Sequence, residues 1–144
     1  MSETFPDQKI VDFIAQHHVL SLATSVSEQV YMCNCFYVYL PEQNTLLITS
    51  DPKTRHGQEM LANSNVAISI VLETKVIGKI QGLQITAEAK MLDGEEAKLA
   101  KKAYLKSYPF AILKLETMWA LEINFFKLTD NRLGFGKKII WKKE

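Results

Sequence analysis

The strongest constraint on this fold is the alternation in residues 79–92, "KIQGLQITAEAKML". From position 83 onward, Leu83, Ile85, Ala87, Ala89 and Met91 fall on one side of an extended chain, and Gln84, Thr86, Glu88 and Lys90 on the other. A period of two with one apolar and one polar side predicts an antiparallel strand with one face on a core and one in water. Six further segments have strand character: "VLSLAT" (19–24), "VYMCNCFYVYL" (30–40), "TLLITS" (45–50), "VAISIVLE" (66–73), "MWALEINFFKL" (118–128) and "GKKIIWKK" (136–143). They are rich in β-branched and aromatic residues. "PEQN" between the second and third predicts a hairpin.

Helical spacing occurs three times. In "FPDQKIVDFIAQHH" (5–18), Ile10, Phe13, Ile14 and His17 share one face. "TRHGQEMLANS" (54–64) reads as a short helix. In "DGEEAKLAKKAYLKSYP" (93–109), Asp93 and Glu96 have capping-box spacing and Pro109 marks the stop. Three helices among seven strands are too few for βαβ units. The expected class is mainly β (α+β), an antiparallel barrel or strongly curved sheet with flanking helices. At 144 residues, a single domain over 1–144 is expected.

Charge and composition remove several classes of function. The net charge of +1 gives no pull toward nucleic acid or an anionic membrane. No segment approaches the ~20 apolar residues of a membrane span. The start "MSETFPDQK" lacks the apolar stretch of a secretory signal, and two cysteines one residue apart suit a reduced, cytoplasmic protein.

Four features could carry chemistry. "TSDPKTRHGQ" (49–58) crowds Lys53, Arg55 and His56 at the start of a helix. Helix N-termini carry partial positive charge and repel cations. An anion resolves the misfit, because backbone N–H groups and an arginine both suit phosphate. Ser50, Thr49 and Thr54 add hydroxyls; a solvated basic loop is the competing reading. Asn34 interrupts the apolar even positions Val30, Met32, Phe36, Val38 and Leu40. It reads as bonded to a neighbouring strand, or as facing a polar heterocycle. Cys33 and Cys35 lie on the opposite face and, without metal-ligand spacing to any histidine, read as small hydrophobes; no metal site is expected. Gly134 and Gly136 flank Phe135 ahead of Lys137 and Lys138, which reads as a turn or a close approach to a ligand.

The run "VYMCNCFYVYLPEQNTLLITSDPKTRHGQEMLANSNVAISI" resembles the core of the pyridoxamine 5'-phosphate oxidase-like, flavin-binding split barrel. "KTRH", "GEEAKLAKKAY" and "LTDNRLGFGKKIIW" resemble the small bacterial YhbP-type group within it. The resemblance implies a six-stranded split barrel and a homodimer with FMN at the subunit interface. It implies a phosphate site at Ser50, Lys53, Thr54, Arg55 and His56, and ring contacts on the strands of Asn34, Cys35 and Thr49. Gln81, Trp119, Gly136 and Lys137 are implied contributors from the second subunit. His56 stands where the family carries Lys, and the chain ends in "WKKE" without the Arg-containing segment of true pyridoxamine 5'-phosphate oxidases. Oxidation of that substrate is therefore not expected. What the resemblance implies is an FMN-dependent oxidoreductase of unassigned substrate; the alternative is a non-catalytic module for flavin, haem or a phosphorylated ligand.

Overall fold

The computed structural model describes residues 5–144; the first four residues of the polar start lie outside it. Its framework is one antiparallel sheet in which the neighbours run β2-β1-β5-β6-β7-β4-β3, with β8 added to β7. The strands are β1 (Val19–Val26), β2 (Gln29–Phe36), β3 (Val38–Leu40), β4 (Thr45–Thr49), β5 (Asn65–Val71), β6 (Gln81–Met91), β7 (Met118–Asp130) and β8 (Lys138–Lys142). The helices are α1 (Gln8–Gln16), α2 (Arg55–Ala62) and α3 (Gly94–Ser107).

Eight strands form where the resemblance implies six and the pattern seven. The expected strand 30–40 divides at Tyr37, which changes neighbours. Before it, β2 pairs with β1 from Val19↔Phe36 onward; after it, β3 pairs with β4. Tyr37 itself is buried, and its hydroxyl donates to Ile14 O at 2.6 Å. The expected hairpin is therefore β3–β4, while β1–β2 turns at Ser27 and Glu28, both at positive φ as a two-residue primed turn requires.

β6 follows its alternation: Leu83, Ile85, Ala87 and Ala89 are buried, and the residues between them exposed or half-buried. Met91 departs from the expected face and is 43% exposed, because the strand ends there. Opposite Thr86 and Ala87 the register slips, leaving Asn124 of β7 unopposed. Such a bulge bends a strand and raises its twist, which helps the sheet curl.

The curled sheet holds the main core. Ile10 and Ile14 of α1 enter it beside Leu20, Leu22, Ile85, Leu121 and Phe126. A smaller cluster, Leu47, Leu92, Ala100, Tyr104, Met118 and Ala120, fixes α3 to the other side of β4 and β7. The expected cap at α3 does not form: Asp93 makes no side-chain cap bond, and Glu96 pairs with Lys90 at 3.3 Å.

Candidate functional site

The chain leaves β4 at Thr49 and turns through 50–54 into α2. Thr54 caps that helix: its Oγ1 accepts from Gly57 N at 3.1 Å and donates to Asp51 O at 2.8 Å. This places Ser50, Thr54 and His56 together. His56 Nε2 bonds Ser50 Oγ and lies 3.3 Å from Thr54 Oγ1. Burial pushes the His56 pKa down, so at neutral pH the ring is a neutral hydrogen-bonding partner. The sequence counts it among three potential cations; the structure leaves that charge to Arg55 and Lys53.

Arg55 is held from two sides. Its Nε donates to Glu59 Oε2 at 2.8 Å, one helical turn on, and its guanidinium lies 4.2 Å from the centroid of the Tyr31 ring. Thr24 donates to the other Glu59 oxygen at 2.8 Å. Both partners hold the Glu59 carboxyl below the usual range, with the Arg55 bond the larger cause. The Nε contact engages one of the guanidinium's five N–H donors. Lys53 is exposed on the loop, where its backbone N–H donates to Asp51 Oδ1 at 2.8 Å.

The remaining predicted residues fall into separate places. Trp119 is buried in this same protomer, 1% exposed, and its Nε1 donates to Ser50 O at 3.0 Å. It supports loop 50–54 from beneath and is buried in the core instead of displayed on the surface. Thr49 Oγ1 is engaged by Glu116 N at 3.0 Å and by Thr117 O at 3.3 Å. Asn34 Oδ1 accepts from Ser21 Oγ at 2.9 Å, the neighbouring-strand bond that the sequence suggests. Asn34 and Cys35 point to opposite faces of β2. The even face is the outward one: Val30 is 77%, Met32 58% and Phe36 57% exposed. Gln81, Gly136 and Lys137 gather at the far end of β7, where Gln81 pairs with Asp130 and Lys137 O accepts from Asp130 N at 3.0 Å.

A sequence model of the pyridoxamine 5'-phosphate oxidase family matches residues 6–128. The chain belongs to that family. A UPF0306 protein of Serratia proteamaculans is 39% identical over 143 residues, 99% of each chain. Two solved structures share the fold of this oxidase-family member. A heme binding protein from Mycobacterium smegmatis has a TM-score of 0.76 at 18% identity, over 90% of this chain and 55% of its own. A FAD-binding protein from Mesorhizobium loti has a TM-score of 0.71 at 15% identity, over 84% of this chain and 91% of its own. The architecture is thus the split β-barrel with flanking helices that the resemblance implies, with eight strands. No helix among the described residues is long and apolar enough to cross a membrane.

Sequence reasoning missed three supports of this oxidase-family site. Tyr31 and Glu59 were legible only as a strand residue and a helix residue, since their meeting at Arg55 depends on where α2 docks. Gly57 was invisible as a constraint. A Cβ there would sit 2.7 Å from Asp51 O and 2.9 Å from Pro52 Cα, both backbone atoms. Gly→Ala inside a helix usually stabilises by about 1 kcal/mol. Here Gly57→Ala is expected to destabilise by about 1–3 kcal/mol, the usual range for overpacking, because the loop must move. Urea unfolding checks it; a variant as stable as the parent would show that loop 50–54 is not clamped against α2.

Proposed function

We propose that this chain binds FMN as a homodimer, with the phosphate at the start of α2, and uses it in an oxidoreductase reaction of unassigned substrate. The observation that carries the reading is the meeting of Ser50, Thr54 and His56 at a capped helix N-terminus whose first residue, Arg55, is held by Glu59. The donor set fits a phosphate monoester. Arg55 supplies charge-assisted donors, the first-turn N–H groups that the cap does not use supply neutral ones, and Lys53 supplies a second charge, while the Thr54 hydroxyl, given to Asp51 O, orders the loop. The two acids nearby are already engaged: Asp51 by Lys53 N, and Glu59 by Arg55 and Thr24. Gly57 lets the loop close onto the helix, completing the cradle.

The placement of the remaining residues supports a dimer. Trp119 beneath Ser50 and Asp130 beside Gln81 are separated by about 35 Å of extended strand, more than one mononucleotide covers. This separation supports a second copy as the source of Gln81, Gly136 and Lys137 at the Arg55 site. The outward apolar residues Val30, Met32 and Phe36 give that copy a surface to cover. When bound, FMN supplies the electron-transfer chemistry; the protein binds, orients and shields it. This agrees with the split barrel of the FAD-binding neighbour, whose ligand is a related flavin.

The test is a fluorescence titration of FMN with purified protein, with sedimentation run alongside. The expected result is saturable quenching at one FMN per chain and a dimeric mass. Absence of quenching overturns the reading. Reduction of the loaded protein by NADH or NADPH then separates an enzyme from a carrier: multiple turnovers support the former, tight binding without turnover the latter.

A further inference from the structure

Tyr31, Cys33 and Cys35 share the inward face of β2, since side chains alternate along a strand. Both cysteines are free thiols, half-buried at the edge of the main core. Their sulfurs lie 4.0 Å apart. Two outcomes compete for such a pair, a disulfide or a shared metal ion. Residues i and i+2 of a strand have Cα atoms about 6.6 Å apart, at the upper limit for a disulfide, and the sulfurs would have to close to about 2.05 Å. Thiolate–metal bonds of about 2.3 Å, in contrast, span 4.0 Å at an angle of about 120°.

The identity of the ion follows from what is missing around the pair. Structural zinc takes four ligands. Among the described residues, no three His, Cys, Asp or Glu side chains come together. Met32, the neighbouring soft side chain, points outward on the other face. A site that offers two soft sulfurs and nothing else selects a soft ion of low coordination number.

We propose that Cys33 and Cys35 form a two-thiolate site for Cu(I). On binding, each thiol gives its proton to solvent and each sulfur forms one bond to copper. Nothing is oxidised or reduced. The resulting bis-thiolate carries one net negative charge. The site does not rest on the flavin reading and is tested without flavin.

Reduced, flavin-free protein is titrated anaerobically with Cu(I) held by bicinchoninate. One Cu(I) per chain is expected to leave the chelator, with thiolate-to-copper absorption rising in the ultraviolet. In the wild-type chain, mass spectrometry after iodoacetamide should find Cys33 and Cys35 protected together, a readout that needs no variant. Cys33→Ser and Cys35→Ser should each lose the one-equivalent binding. The proposal is overturned by a chelator that keeps its copper, by serine variants that bind as the parent does, or by a Cys33–Cys35 disulfide in place of the adduct.

Discussion

Trp119→Ala is expected to cost about 3–5 kcal/mol of unfolding free energy, the range for removing a buried aromatic from a packed core. Domains of this kind have about 5–15 kcal/mol in total, so the variant should lose roughly a fifth or more of its stability, or fail to fold. Trp119 is among the largest fully buried side chains and sits in the main core. It also donates to Ser50 O at 3.0 Å, so its loss leaves a carbonyl of loop 50–54 without that partner. Trp119→Phe separates the two effects: most of the volume stays and the N–H goes, for an expected cost of about 1–2 kcal/mol beyond any packing change. Guanidinium unfolding with intrinsic fluorescence, read from the shift in midpoint at unchanged slope, measures both variants. If the alanine variant lost less than about 1 kcal/mol, the core around β7 would have to be far looser than its burial indicates.

Arg55→Ala is expected to weaken FMN binding roughly 10- to 150-fold. That range corresponds to the 1.5–3 kcal/mol of a hydrogen bond to a charged group. The side chain is largely exposed, so its removal should leave the unfolding midpoint almost unchanged. An affinity loss with intact stability is the signature of a ligand contact. Glu59→Gln should move affinity in the same direction by less, because the guanidinium keeps its place over Tyr31 while losing the ionic partner at its Nε. An FMN dissociation constant unchanged in the alanine variant would remove Arg55 from the phosphate site.

How far the sequence carries this far depends on which interaction decides each element. β6 was legible because one face meets the core and the other meets water, and a period of two records that contrast directly. The division at Tyr37 was not legible. No Gly or Pro marks it; the strand changes partners because Tyr37 is buried against α1 and because Tyr108 OH donates to its carbonyl at 2.6 Å, contacts made across 23 and 71 positions. The even positions of β2 read as an apolar face, which they are, but a pattern cannot say whether water, a core or another chain lies against it. The basic cluster at α2 was read as an anion site from its conflict with the helix dipole. Its internal order was hidden, because the neutral state of His56 and the clamp on Arg55 depend on burial and on Thr24, Tyr31 and Glu59 arriving from elsewhere.

The pairing of β4 with β7 joins Thr45 to Glu122 and Thr49 to Met118. The edge that receives β4 therefore emerges from the ribosome only after most of the chain has been made. Until then the first half can form local hairpins, but it cannot close. Ring closure over such separations is slow, since chain entropy is lost before any contact repays it. The nascent protein must therefore wait with its future interior open, its apolar strand faces exposed to association until β7 arrives.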